Sequence, residues 1–258
     1  AHWAFLSDTH IPADRENEYR GFRPQENLRK VVPQVVEAQP GGVVIDGDLA
    51  RLEGLPGDYE VLRTLIEPLT GATPVCMALG NHDERKNFLT AFERLGGPRP
   101  QDVVNRHVLT VDASPVRLVI LDSLLQVNVT PGLLGKAQRQ WLETYLRSAD
   151  DTPILLFVHH TLDDKDGSLL DTDRFFRIIT PQRKVKAVVY GHSHRYHYDT
   201  LEGIHLINLP AVGYNFADSE PVGWVETTMA KDGGDFKLHA IGGNRERDGQ
   251  TKSLNWRS

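Results

Sequence analysis

The sequence predicts an α/β protein with two β-layers flanked by helices, and three patterns predict it. Through about residue 100, apolar and largely β-branched runs alternate with stretches whose apolar residues recur at helical spacing. Between 103 and 123 two β-rich runs flank a turn, and beyond 196 short strands alternate with turns without helical periodicity. No repeat, linker or composition step marks a boundary, so 1–258 reads as a single domain, with 242–258 a polar C-terminal tail expected to be partly irregular. A domain of this length buries about three quarters of the surface its unfolded chain exposes.

Each element has its own justification. Residues 3–7 form an apolar strand, and Leu28, Val31, Val32, Val35 and Val36 predict an amphipathic helix over about 25–38, with Pro33 off the apolar stripe. A strand at 42–45 precedes a second helix carrying Tyr59, Leu62, Leu65, Ile66 and Leu69, stopped by Pro68 and Gly71. A strand at 73–79 is followed by a helical face of Phe88, Ala91, Phe92 and Leu95, broken by Gly96-Gly97-Pro98. Runs 103–111 and 116–121 read as an antiparallel hairpin around Ala113-Ser114-Pro115, which makes the sheet mixed. A helix through Leu134, Ala137, Trp141 and Tyr145, a strand at 153–158, a helix at 169–179 and a strand at 185–190 come next. Strands at about 197–201, 204–208, 222–229 and 235–241 finish the chain.

Charge and composition narrow the function. The net charge is -6 with no basic run, which disfavours tracking of long nucleic acid or attraction to an anionic membrane. No apolar stretch approaches the roughly 20 residues of a spanning helix, and the opening residues read as a strand, so no targeting segment is expected. The compartment stays open, with a soluble cytoplasmic protein favoured. The single cysteine, Cys76, lies in an apolar run and reads as a buried small hydrophobe.

Five polar clusters carry the chemistry, each directly after an apolar run: Asp8-Thr9-His10, Asp46-Gly47-Asp48, Gly80-Asn81-His82-Asp83, His159-His160 and Gly191-His192-Ser193-His194. Ligands gather at the carboxyl ends of strands in open α/β sheets, so five such ends can converge. Imidazole, carboxylate and amide oxygen without thiolate suit Zn, Mn, Fe or Co. An aspartate can bridge two cations through its two oxygens, and paired metals clamp the attacking and leaving oxygens of a phosphoryl group. Taken singly, each cluster has a commoner explanation: Asp-x-His and Gly-Asp are usual turns, and Asn81 alone is an ordinary cap or turn residue.

In order and spacing the five together resemble the calcineurin-like metallophosphoesterase superfamily, over residues 5–194 with no motif missing. The resemblance implies a four-layer αββα sandwich of two mixed β-sheets. It implies two divalent or trivalent metal ions (Mn, Fe or Zn), with Asp8, His10 and His194 on one, Asn81, His159 and His192 on the other, and Asp48 between them. His82 then faces substrate, and attack on phosphorus by metal-held hydroxide follows. Asp83, His160, Arg85 and Asn208 are expected to bind substrate or support the ligands, and Asp46 to serve a turn or a supporting role.

Arg51, where purple acid phosphatases place a tyrosine, and His10, where they use glycine, disfavour that branch. Asp8-Thr9-His10-Ile11, Gly47-Asp48-Leu49 with Gly54 downstream, Gly80 to Arg85, and Asn208-Leu209-Pro210-Ala211 are similar to the branch of class III cyclic nucleotide phosphodiesterases and glycerophosphodiesterases. The implied substrate is a small phosphodiester. A phosphomonoesterase, a short-oligonucleotide nuclease or a non-catalytic metal-binding scaffold are the alternatives. Arg15, Tyr19 and Arg20, the segment 162–168, and Tyr196 with His197 are the candidates for substrate choice. The family often dimerises, and no seam in the sequence marks a dimer face.

Overall fold

The computed structural model describes residues 1–93 and 98–258. In chain order its elements are β1 (His2–Leu6), α1 (Pro24–Ala38), β2 (Val43–Asp46), α2 (Pro56–Thr70), β3 (Val75–Ala78), α3 (Arg85–Phe92), β4 (Arg99–Pro100), β5 (Leu109–Ala113) and β6 (Val116–Ile120). Then follow α4 (Gly135–Ser148), β7 (Ile154–Phe157), α5 (Thr172–Ile179), β8 (Val185–Tyr190), β9 (His197–Leu201), β10 (Ile204–Asn208), β11 (Pro221–Met229), β12 (Gly233–Gly243) and β13 (Thr251–Asn255).

The strands form two mixed sheets, ordered β13-β12-β11-β1-β2-β3 and β4-β5-β6-β7-β8-β10-β9. Their residues alternate between two kinds of packing. Trp3, Phe5, Val44 and Cys76 of the first sheet meet Leu118, Leu155, Phe157 and Val189 of the second, with Phe5 edge-on to Phe157 at 4.9 Å. The intervening Ala4, Leu6, Val43 and Ile45 pack on Leu28, Val31 and Val35 of α1 and on Leu62 and Ile66 of α2. On the far side Val119, Leu156 and Val188 pack on Leu142, Leu146, Phe175 and Ile179 of α4 and α5. The result is the expected αββα order, and burial on both faces explains why central strands read as continuous apolar runs. No described helix is long and apolar enough to cross a membrane.

Several boundaries differ from the sequence expectation for local reasons. Helix α2 runs through Pro68 to Thr70, with the Gly71 N–H bonded to Glu67 O, whereas α1 continues through the exposed Pro33 as expected. The run 103–108 is not a strand: Arg106 N–H closes a turn onto Val103 O, and Asn105 takes φ +54°. Helix α5 starts at Thr172 because Leu169 and Leu170 give their N–H groups to Thr161 O and Gly132 O. Asp171 caps its neighbour instead, accepting from the N–H groups of Leu134 and Gly135 at 3.0 Å each. The tail expected to be irregular supplies β13, which pairs with β12 and buries Leu254 and Trp256. The expected contribution of Leu95 and the break at Gly96-Gly97 lie outside the described residues.

Candidate metal centre

β1, β2 and β3 are parallel neighbours, as are β7 and β8, so the carboxyl ends of all five lie on the same edge of their sheets. The loops leaving them continue side by side: the N–H groups of Asp8, His10 and Ile11 donate to Gly47, Asp48 and Leu49 at 3.1, 2.9 and 2.9 Å. This juxtaposition demands unusual backbone. Asp8, His10, Asp48, His192 and His194 all adopt positive φ, between +46° and +66°, and make up half of the ten non-glycine residues that do so among those described. Such residues cost on the order of 1–3 kcal/mol each and persist where surrounding contacts over-determine them. Two glycines make the approach possible. A Cβ on Gly80 would stand 2.2 Å from Asp48 Oδ1, and one on Gly191 would stand 2.0 Å from Ser7 Oγ.

Two nests of ligand atoms result, linked by a third group of His10, Asp48 and His82. Asp8, His10 and His194 form one, with His10 Nε2 3.0 Å from His194 Nε2 and Asp8 Oδ1 3.3 Å from His194 Nε2. Asp48, His159 and His192 form the other, with Asp48 Oδ2 3.3 Å from His159 Nε2. The same Oδ2 lies 3.7 Å from His10 Nε2 and 4.0 Å from His82 Nε2, so it faces both nests. Asp48 Oδ1 accepts the His82 N–H at 2.9 Å, which leaves Oδ2 rather than both oxygens turned to the nests.

Carbonyls set the imidazole tautomers. His159 Nδ1, His194 Nδ1 and His192 Nε2 lie 2.6, 2.5 and 2.9 Å from the carbonyl oxygens of Asp46, Tyr214 and Gly167. A carbonyl only accepts, so these nitrogens carry the hydrogens and the opposite nitrogens keep lone pairs. Asp8 Oδ1, Asn81 Oδ1 and His159 Nε2 are buried without a hydrogen-bond partner. Orphaned buried acceptors are costly, and a cation satisfies all three, so the residues present fit a dinuclear metal centre.

Electrostatics agree with that fit. Burial alone would raise the Asp8 and Asp48 carboxyls, but His194 and His159 beside Asp8, and His159 beside Asp48, hold both well below the usual range. Burial works against protonating His159, yet the Asp48 and Asp8 charges raise it well above the ordinary imidazole value, so this imidazole must release a proton to take a cation. Burial lowers His10 and His192 to about 4, which leaves them neutral, the form that binds metal.

The supporting residues divide. Asp83 is wholly committed to bracing: it accepts from the N–H groups of Gly80, Leu49 and Ala50 and from Tyr59 Oη, tying the second loop to the third, and polarises no imidazole. Burial, then the Asp48 charge, raises its carboxyl to about 6. His160 meets Ser123 Oγ at 2.7 Å and packs on the His192 ring at 4.7 Å, as a wall of the site. Asn208 Nδ2 donates to Ser193 Oγ, between the two histidines of the last cluster. Both carboxyl oxygens of Asp46 are buried without a partner, and burial raises the group to about 8.

Arg85 does not join the cluster. Helix α3 has already turned away at that residue, and the guanidinium forms a fork with Asp122 at 2.6 and 2.9 Å, bracing the loop after β6. Arg15 pairs with Glu26 and Arg20 lies 3.7 Å from Asp218, both at the surface. A cavity of about 850 Å³ opens beside His192 and His194, bordered by Leu162, Asp163, Tyr196, His197, Asn208 and Phe216. Sequence reasoning missed an aromatic wall: the Tyr214 ring packs at a tilt 4.7 Å from His10 and 4.8 Å from His194, and Phe216 stacks 4.1 Å from His194. Their signal was the dense aromatic run Tyr214-Asn215-Phe216 shortly after Asn208.

Comparison with known proteins places the chain. A probable cyclic nucleotide phosphodiesterase of Vesicomyosocius okutanii is 24% identical over 236 residues, covering 88% of this chain and 93% of that protein. The 3',5'-cyclic adenosine monophosphate phosphodiesterase CpdA of Pseudomonas aeruginosa is 28% identical over 221 residues, covering 82% and 76%. Among solved structures, a dimetal phosphatase from Danio rerio superposes with a TM-score of 0.76 at 16% identity, covering 99% of both chains, a likeness of fold. The family model described as calcineurin-like phosphoesterase matches residues 2–196. With that match over most of its length, and a buried Asp/His centre that fits two metals, the chain belongs to the calcineurin-like phosphoesterase family.

Proposed function

We propose that the protein hydrolyses small phosphodiesters of the cyclic nucleotide or glycerophosphodiester type at this centre. The cyclic nucleotide phosphodiesterases among its relatives support the substrate class. Asp8, His10 and His194 would hold one cation, Asn81, His159 and His192 the other, and Asp48 Oδ2 would bridge them. Bound there, Mn, Fe or Zn ions supply positive charge for the phosphoryl oxygens and lower the pKa of a coordinated water toward about 7.

The observation that carries the reading is His82. Its Nδ1 faces Leu52 O at 2.9 Å, so that nitrogen carries the hydrogen and Nε2 is turned toward Asp48 Oδ2 at 4.0 Å. Of its side chain 19% is accessible, against 1% or less for His10, His159 and His194. It therefore stands beside the ligand nests with access to solvent, held in one tautomer. In that position it orients the ester and, when protonated at Nε2, donates a proton to the departing oxygen.

The test is turnover of cyclic AMP, bis-aryl phosphate, mono-aryl phosphate and single-stranded DNA after Mn reconstitution, with metal content measured alongside. Diester turnover that falls at least about a hundredfold in His82→Ala with both metals retained is the expected result, in the range general acid–base catalysis supplies. Faster monoester or DNA turnover, unchanged turnover in the variant, or two bound metals without turnover would overturn it.

A further inference from the structure

Beside His82 and His10 sits a cation that the reading above leaves unused. Arg51 is half-buried, and its guanidinium carbon lies 5.0 Å from the Tyr19 ring centroid and 5.3 Å from that of Tyr214. Nε donates to Asn17 Oδ1 and Nη1 to Tyr214 Oη, both at 3.3 Å. No carboxylate among the described residues comes within 4.0 Å of it, whereas Arg85 and Arg106 share Asp122, and Arg139 pairs with Asp171. Asp58, whose carboxyl feels the Arg51 charge, is taken by the Ala13 N–H at 2.7 Å. Of five N–H donors, three are left free.

Position makes this more than a surface arginine. The backbone carbonyls of Arg51 and Leu52 receive His10 Nδ1 and His82 Nδ1 at 3.4 and 2.9 Å, so this short stretch touches both a ligand candidate and the phosphate-facing imidazole. One aromatic ring, Tyr214, separates the guanidinium from the His10 imidazole. Tyr19 packs edge-on to Tyr214 at 4.7 Å, so two rings fix the guanidinium plane. A planar cation, pre-oriented and unpaired beside a phosphoryl site, recognises an anion bidentately at little ordering cost.

We infer that Arg51 is a specificity-determining residue that binds a second anionic group, phosphate or carboxylate, on the alcohol portion of the substrate. The preferred ester then carries negative charge at two places: the reacting phosphoryl on the metals and a further group against Arg51. This rests on the phosphoesterase reading of the same site.

Binding to the Mn-loaded protein tests it without turnover. Isothermal calorimetry compares propylphosphonate with 4-phosphonobutyrate and propane-1,3-diphosphonate, for wild type, Arg51→Gln and Arg51→Lys, with metal content checked after each titration. The expected result is that the second anion tightens wild-type binding about tenfold, the scale of one charge-assisted bidentate contact. Arg51→Gln loses that advantage and Arg51→Lys keeps part of it. The butyrate and diphosphonate arms show whether carboxylate or phosphate is the better fit. The same advantage in Arg51→Gln as in wild type, or none in wild type, overturns the inference. Turnover of bis-aryl phosphate by the same preparation is read separately: its absence together with Arg51-dependent binding refutes the hydrolase reading and leaves the anion site standing.

Discussion

Replacing Tyr59 by Phe removes one oxygen and keeps the ring, which isolates the hydroxyl that joins α2 to the metal-binding loops. Tyr59 Oη donates to Asp83 Oδ1 at 3.0 Å and accepts the Glu84 N–H at 2.9 Å, while its ring packs edge-on to Phe88 and Phe92. In Tyr59→Phe the Glu84 N–H loses its partner, and Asp83 keeps three backbone donors but loses its hydroxyl. A bond to a charged acceptor together with an orphaned amide is on the order of 2–4 kcal/mol. For a chain of this size that lowers Tm by roughly 2–4 °C per kcal/mol. The assay is urea unfolding of metal-free protein at pH 7.5 and again at pH 5. The penalty should shrink at pH 5, because Asp83 has a pKa raised to about 6 and is largely protonated there. A change under about 0.5 kcal/mol at pH 7.5, no more than an ordinary surface substitution produces, would refute the bracing role.

Three further outcomes follow from distances and burial. Gly80→Ala places a Cβ 2.2 Å from Asp48 Oδ1 and 2.6 Å from His159 Cδ2, so it should cost about 1–3 kcal/mol or more and lower metal content; unchanged elemental analysis would contradict the close approach. In Asp48→Asn the amide oxygen can still accept the His82 N–H, but an NH2 then replaces Oδ2 between the nests, so both metals should weaken by at least about tenfold. Loss of one metal alone would refute the shared oxygen. The Asp46 carboxyl, raised by burial from 3.8 to about 8, is protonated in the fold where it is ionised in the unfolded chain. The folded state therefore binds the extra proton, and this stabilising contribution, full below pH 3.8, is lost as pH rises through about 8. Asp46→Asn in metal-free protein should gain on wild type by on the order of 1.4 kcal/mol per pH unit across that window. Equal differences in stability at pH 5 and pH 8 would contradict it.

The αββα order was legible because β-branched runs and helical periodicity are written locally, and because five polar clusters at strand ends give one convergence. What escaped depended on partners far along the chain. Asp171 lies at the start of α5, yet its oxygens cap α4, a relation visible only once residues 134 and 171 are adjacent. Arg85 was expected at the site from the resemblance of the Gly80 to Arg85 segment, but as the first residue of α3 it forks with Asp122, a partner 37 residues along the chain. The tail is polar because β13 is an edge strand with most of its side chains exposed, and only Leu254 and Trp256 reveal its packed side. Tyr214 and Phe216 belong to a loop without a motif, and their packing on His10 and His194 comes from the crossing between the two sheets.

Strand β1 carries Asp8 and His10 at its end, and it lies inside the first sheet between β2 and β11. Its β2 partner is made some 40 residues later, Ala4 facing Val43, but the other edge waits for Glu226 to face the same Ala4. At a synthesis rate of about 5–20 residues per second, that edge stays unpaired for roughly 10–45 s as the chain emerges. During this interval a bare, apolar strand edge is open to pairing with other chains. The loop that bears the first two ligand candidates is thus framed on one side early and on the other only some 220 residues later, so a nascent chain released before β11 would carry every ligand candidate on a β1 with one edge bare.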